Sequence, residues 1–412
     1  MHPSRRLYAA GAVALAAMPL AMALANRSSP LVVAVAASLF LAGRWLEDAG
    51  AVRRRLLPPL ATPIGLAALA FLVWCGLTFA WTPFPALSLR MAGEFLPTLV
   101  AAYVLARLAP GRIPGFAAPL SAAMVVLAGL TIAIGLAAGL PLQRALGQRV
   151  AEFVYNRPAL ILAVVAGPLA LALWRQGRRV LALSALSFAA LGILRSVSGA
   201  AAMGLAAGLA MFVVARLLPA RVAVGLAALG LGLAVALAPV EGDLLDRFMP
   251  EAAHERLVHS SSRARVAIAR SFGAAVAADP WVGAGFGISA RFAEAPAAAR
   301  LDPEMRPLLA VGHPHNAFLQ VWAELGIAGA VLAAAVMMLM LGRLVAWPAG
   351  DRATALALVA AAAAIAFVEH NTWAAWWTAG LGAAITWLRE AGGRTAPHSL
   401  SRCDAGPDRT TS

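Results

Sequence analysis

Lysine is missing from this sequence: all 33 basic residues are arginine. Charge of either sign is scarce, at 13% of residues against about 25% in soluble domains. Only two cysteines occur, Cys75 inside an apolar run and Cys403 near the C-terminus. Neither has metal-ligand spacing or an evident pairing partner, so no disulfide or zinc site is implied. No internal repeat of fixed period is present, and acids are fewer than bases, leaving a net charge of +14. What fills the chain instead is apolar: 61% of its 412 residues are hydrophobic and mean hydropathy is +0.79. This composition excludes a soluble enzyme, a disordered chain and a nucleic-acid-binding domain. It points to an all-α polytopic membrane protein.

Apolar runs recur near 7–25, 30–46, 60–81, 88–109, 117–139, 158–174, 180–195, 197–217, 221–239, 315–342, 353–369 and 372–388. Each approaches the ~20 residues a bilayer helix requires, so about twelve transmembrane helices are expected. With the N-terminus cytoplasmic, 19 arginines fall in inside segments and six in short outside segments. The remaining eight lie in one long segment, 240–313, that lands outside, and long loops translocate regardless of their charge. The expected organisation is therefore helices 1–9 over 1–239, a periplasmic loop over 240–313, helices 10–12 over 314–390, and a disordered cytoplasmic tail over 391–412. Both termini are then cytoplasmic. Within the loop, Arg263 to Ala278 reads as one helix, opened by the serines 260–262 and closed by Asp279-Pro280.

Arginine on the outer side, near membrane depth, is costly and needs a partner. Arg90 has Glu94 one helical turn away. Arg144, Arg149 and Arg157 cluster between the fifth and sixth runs. Arg195 stands in a small-residue turn, Arg195-Ser196-Val197-Ser198-Gly199, where two helices can approach closely. Arginine clusters bind phosphates through bidentate contacts. On the loop helix, Arg263 and Arg270 share a face while Arg265 points elsewhere. After it comes Asp279-Pro280-Trp281-Val282-Gly283-Ala284-Gly285-Phe286-Gly287. No strand precedes these glycines, so a dinucleotide fold is excluded and a flexible turn is expected. Trp373, Trp376 and Trp377 open the last run and read as an interfacial aromatic belt or a sugar-stacking surface. Glu369 and His370 just before them have no assigned role.

The richest segment is Gly312-His313-Pro314-His315-Asn316-Ala317-Phe318-Leu319-Gln320, continuing to Glu324-Leu325-Gly326. Pro314 suits the first turn of a helix, which places His315 and Asn316 in the opening turn of the tenth run. The positive end of that helix lowers a histidine's pKa and leaves a neutral imidazole able to act as a general base. It also attracts anions. His313, Asn316, Arg263 and Arg270 are further candidates for substrate binding. No carboxylate or cysteine sits at metal-ligand spacing from the histidines.

The His-Pro-His-Asn-x-Phe-Leu-Gln…Glu-Leu-Gly-Ile-x-Gly run, the Asp-Pro-x-x-Gly-x-Gly-x-Gly stretch before it and the Arg-Ser-x-Ser-Gly turn together resemble the O-antigen ligase superfamily. The likeness covers roughly residues 150–390 and is clearest over 195–330. It implies a membrane glycosyltransferase of the C type, working at the periplasmic face of a Gram-negative inner membrane. Such an enzyme takes a glycan from undecaprenyl pyrophosphate and passes it to a sugar of lipid A–core, with inversion and with no metal or other cofactor. Carried over by position, the resemblance makes His315, Arg265 and Arg195 catalytic, with Arg157 as an additional pyrophosphate ligand. An O-antigen polymerase, using the same donor, is the alternative, and a transporter or flippase of lipid-linked sugars is a reading from another class. The expected partners are the lipid-linked donor, the lipid A–core acceptor and membrane lipids, with no nucleic acid.

Overall fold

The computed structural model describes residues 2–145, 147, 149–256, 262–369 and 371–393. The expected tail beyond 393, Cys403, His370 and the serines at 260 and 261 lie outside them. Among the described residues there is no strand. Among the described residues, nine helices of 15 or more residues precede the long loop: α1 (Pro3–Leu24), α2 (Ser29–Leu56), α3 (Pro63–Leu77), α4 (Pro85–Leu108), α5 (Ala117–Ala137), α6 (Asn156–Arg175), α7 (Arg179–Arg195), α8 (Gly199–Leu217) and α9 (Ala220–Ala236). The loop holds α10 (Glu241–Phe248) and α11 (Ser262–Ala278). The chain then returns through α12 (Ala317–Leu344), α13 (Ala349–Val368) and α14 (Ala375–Gly393).

Each of the twelve apolar runs is thus a helix. Among the described residues, nine are long and apolar enough to cross a membrane, or ten if α9 and the helix bent 53° from it form one span. The difference from twelve has a physical basis. α7 and α9 have 17 residues each, about 25 Å at 1.5 Å per residue, shorter than the ~30 Å hydrocarbon layer. α14 carries Arg389 and Glu390 near its end.

Helix starts follow local chemistry. Proline occupies the first turn of α1, α2, α3 and α4, where its missing N–H costs nothing. Thr62 caps α3 by accepting from Gly65 N, and Ser198 caps α8 by accepting from Ala201 N. α6 is the axis of the bundle. It is apolar all round, as a helix enclosed by others must be, and packs against α1, α5, α7, α8, α13 and α14.

Between apolar helices in lipid, close backbone approach replaces the hydrophobic drive. At the crossing of α5 and α7, a β-carbon on Gly129 would stand 2.1 Å from the Phe188 carbonyl oxygen, and one on Gly192 would stand 2.8 Å from the Gly129 Cα. Where α8 meets α13, Gly204 faces Ile365 and Gly208 faces Ala357 and Ala361. That antiparallel register brings the Ser198 turn level with Glu369. The opposite end of the bundle is tied by arginine. Arg44 donates to the Leu108 carbonyl (3.1 Å), Arg112 pairs with Glu47 (3.0 Å), and Arg175 reaches both Asp351 and the Ala391 carbonyl.

The loop has a core of its own, with Phe272, Ile288, Phe292 and Leu309 buried under α11. The loop helix runs Ser262–Ala278, ending where the sequence places it and starting one residue before the expected Arg263. Replacing Gly192 by Leu is expected to force α5 and α7 apart and to cost about 1–3 kcal/mol. It should lower the unfolding temperature of detergent-purified protein, while Gly225→Leu, whose β-carbon meets nothing within 4 Å, leaves it unchanged.

Candidate functional site

The histidine motif does not enter its helix as the sequence suggests. α12 begins at Ala317, and Asn316 is its N-cap, accepting from Phe318 N (2.8 Å) and Leu319 N (3.2 Å). Pro314 and His315 precede the helix. His315 has φ +56°, a left-handed backbone uncommon for a residue with a β-carbon. This turn folds the two imidazoles together, with ring centroids 4.3 Å apart, which a helical i, i+2 pair cannot achieve. The His315 backbone N–H donates to His313 Nδ1 (3.2 Å). That nitrogen is therefore unprotonated, which fixes the tautomer of His313. His315 Nδ1 is buried and has no hydrogen-bond partner.

Arg265 completes this cluster. From α11 it crosses to the end of α13, donating to the Val368 carbonyl and pairing with Glu369 Oε2 (3.3 Å). Burial pushes the pKa of both histidines down. For His315, the neighbouring His313 and the Arg265 charge add to the effect and bring it to about 4. For His313, Arg265 contributes after burial. The cause is desolvation and nearby charge, where the sequence had suggested the helix terminus. Both rings are neutral at neutral pH.

Glu369 also links a second arginine. Arg157, at the start of α6, stacks on Trp376 (5.3 Å to the ring centroid) and lies within electrostatic range of Glu369. Arg195 stands at the exposed end of α7. Its level in the bundle is that of Glu369, and it opens onto an apolar pocket between α5 and α7 lined by Leu130, Ile134 and Leu191. The remaining arginine candidates are engaged by loop acids. Arg263 pairs with Glu251, and Arg270 with Asp243 and Asp246, both at 3.0 Å. Arg263 and Arg270 thus leave α11 on a different face from Arg265. Arg90 pairs with Glu94 as the sequence suggests (3.3 Å). Asn316 is 2% exposed, and its amide nitrogen is engaged by Glu241. It positions the histidine turn and offers no free group to a ligand.

Beneath the cluster lies a polar core that residue patterning alone did not bring out. Glu324 is fully buried. It accepts from Gly287 N (2.6 Å), Ser289 N (3.1 Å), Ser289 Oγ, Gln320 Nε2 (2.9 Å) and Trp373 Nε1 (2.6 Å). Two residues on, Gly326 breaks the helix with φ +64°. The glycine loop repairs the break. Ala284 N donates to the Ala323 carbonyl (3.0 Å), Gly285 N to the Glu324 carbonyl (2.8 Å), and Ile327 N to the Pro280 carbonyl (2.8 Å). The loop that reads as a flexible turn is thus locked into the kink of α12, each side supplying the partners the other lacks.

The tryptophans correct a second expectation. Trp373 is 1% exposed and packs against Phe95 and Phe286. It is core, and no belt residue, because Glu324 satisfies its indole N–H. Trp377 is also buried. The segment before α14 is anchored by Gln320, which donates to Asn371 Oδ1 (3.3 Å) and accepts from Thr372 N (2.9 Å). Glu369, which this segment follows, is joined to the histidine pair through Arg265, whose charge acts on both rings. Among the described residues, no group of three or more His, Cys, Asp or Glu is placed to hold a metal ion.

Residues 182–334, a little over a third of the chain, match the family model described as O-Antigen ligase. The matched segment runs from α7 past the kink of α12 and contains Arg195, Arg265 and both histidines. The match supports the O-antigen ligase superfamily, the resemblance that the histidine motif carries. No curated protein matches the chain.

The geometry separates two roles of Asn316. Asn316→Ala removes the cap, typically about 1 kcal/mol, and strands the buried Glu241, a further ~1–3 kcal/mol. Asn316→Asp keeps the cap oxygen but sets two carboxylates together. Both variants are therefore expected to lower thermal stability in detergent, and a wild-type transition for Asn316→Asp would show that the Glu241 contact carries no weight. Gly326→Ala meets the Trp281 carbonyl oxygen at 2.4 Å in a left-handed backbone. It is expected to cost about 2 kcal/mol or more, read by the same melt.

Proposed function

Starting from the family match, we propose that this multispanning membrane protein is a glycosyltransferase, an O-antigen ligase that moves a glycan from undecaprenyl pyrophosphate to a sugar of lipid A–core. The proposal places it in a bacterial inner membrane with its site on the periplasmic side. The arginine distribution along the sequence supports that orientation. The observation that carries the reading is the convergence of His313, His315, Arg265 and Glu369 at one end of the bundle, within or beside the matched segment.

The chemistry asks for little. The acceptor sugar hydroxyl is a weak nucleophile at neutral pH and gains from a base within hydrogen-bond reach. The leaving group is a lipid pyrophosphate, which needs its charge stabilised more than it needs a proton. In the proposed step, the hydroxyl oxygen bonds to the anomeric carbon from the face opposite the pyrophosphate. The carbon–oxygen bond to the pyrophosphate breaks, and the hydroxyl proton passes to His315. The products are the glycosylated acceptor and undecaprenyl pyrophosphate. His315 suits the role better than His313, whose Nδ1 is already engaged by a backbone N–H. Arg265 is the primary pyrophosphate ligand, with Arg157 and Arg195 at the same level. In the resting site Glu369 neutralises Arg265, and the incoming diphosphate competes for it. The same negative charge raises the basicity of His315 when the donor is bound.

His315→Ala is expected to lose about 10²–10⁴-fold in transfer rate with purified protein and both substrates, the usual contribution of a general base. Arg265→Ala should lose about 10²–10³-fold, and Arg265→Lys should recover only part, lacking the planar fork. The pH profile tests the base. The active form is unprotonated, so activity falls as pH drops through the pKa. For the free enzyme that pKa is about 4, so kcat/KM should hold from pH 8 to 5.5, while the acid limb of kcat lies higher. Wild-type rates from His315→Ala would overturn the assignment.

A further inference from the structure

α10 follows α9 after a short break and is bent 53° from it. α9 is lipid-facing along much of its length, with Leu226, Leu229 and Leu233 exposed. α10 leaves the axis of this exposed apolar helix at that bend. Its two faces are strongly unlike. On one, Gly242 lies so close to α11 that a β-carbon would meet Arg270 N at 2.3 Å, and Asp243 and Asp246 both hold Arg270 at 3.0 Å. On the other, Val240, Leu244 and Phe248 repeat every four residues and form one stripe. Their exposures are 46%, 37% and 71%, and Arg247 lies over the Phe248 ring at 5.7 Å. The stripe points away from the loop's own core.

We propose that Val240–Phe248 is an interfacial helix whose apolar stripe rests in the headgroup region of the bilayer, on the leaflet at the His315 end. A helix with a charged face satisfied by protein and an apolar face left open, starting where a lipid-facing helix ends, has the features of segments that lie in a membrane surface. The continuity with α9 selects lipid as the occupant over a protein partner. The contact does more than anchor the loop. Glu241, at the start of this helix, holds Asn316, the cap beside His315. The bilayer surface thereby sets the depth of the histidine pair, through one helix and one hydrogen bond. This inference rests on the membrane reading of the chain and is independent of the reaction.

Spin labels test it in the full-length protein reconstituted into phosphatidylethanolamine–phosphatidylglycerol liposomes. Labels are introduced singly by Val240→Cys, Leu244→Cys and Phe248→Cys in a Cys75→Ala, Cys403→Ser background. Leu229→Cys on α9 and Arg263→Cys on the loop serve as references. The three stripe labels are expected to collide more with oxygen than with a nickel chelate, at a depth of about 5–10 Å, shallower than the Leu229 label. The Arg263 label should favour nickel. Nickel-dominated collisions at all three stripe positions would overturn the proposal, placing the stripe in water or under protein. A depth equal to that of Leu229 would also overturn it, making α10 a continuation of the span. The unmutated protein gives an independent reading that does not rely on labelled variants folding. Lipids carrying a photoactivatable diazirine near the headgroup should mark the peptide spanning 240–248, and its absence among the adducts would contradict the proposal.

Discussion

The buried carboxylate of Glu324 is the interaction on which the rest of the site depends. It gathers donors from the glycine loop, from its own helix and from the segment before α14. A carboxylate removed from solvent is costly unless several donors satisfy it, and here five do. The same turn of α12 exchanges its helical hydrogen bonds for ones to the loop at Gly326. The long loop is therefore no appendage. It is bonded into the membrane helix that follows the histidine turn, and α11 thereby delivers Arg265 from the loop side.

With that scaffold in place, each charged group of the cluster has a determinate environment. The left-handed turn at His315 frees one imidazole while its backbone occupies the other. Glu369 holds Arg265 and lies close enough to Arg157 for their charges to interact. The outcome is a neutral histidine pair under the influence of arginine charge, a state that an anionic ligand would shift toward basicity. In the proposed reaction, such coupling would let the arrival of a diphosphate both occupy the arginines and prepare the base.

Much of the fold was legible in the sequence because hydrophobic run length is a local property. All twelve apolar runs are helices, and Ser262–Ala278 stands where its flanking serines and Asp279-Pro280 place it. The motif residues were legible too, since His313, His315 and Arg265 do come together. What escaped the sequence depends on contacts between distant residues. Nothing local to Glu324 tells that its partners are Gly287, Ser289 and Trp373, so Trp373 read as a belt residue and the glycines as a flexible turn. Nothing local to Arg263 and Arg270 distinguishes them from Arg265, yet their acids sit at Glu251, Asp243 and Asp246. Asn316 read as a ligand group because its sequence position is also that of a helix cap, and the two roles differ only in where Glu241 lies.

The central claim is that this cluster transfers a lipid-linked glycan to lipid A–core. The most direct measurement mixes detergent-purified protein with an undecaprenyl-pyrophosphate glycan and lipid A–core in the presence of EDTA, then follows both lipids by gel and mass spectrometry. The account predicts glycan joined to lipid A–core and free undecaprenyl pyrophosphate released in equal amount. Extension of the lipid-linked glycan with lipid A–core untouched would contradict the proposed acceptor and indicate a polymerase. With the donor confirmed active in a control reaction, transfer to neither lipid would contradict the account itself.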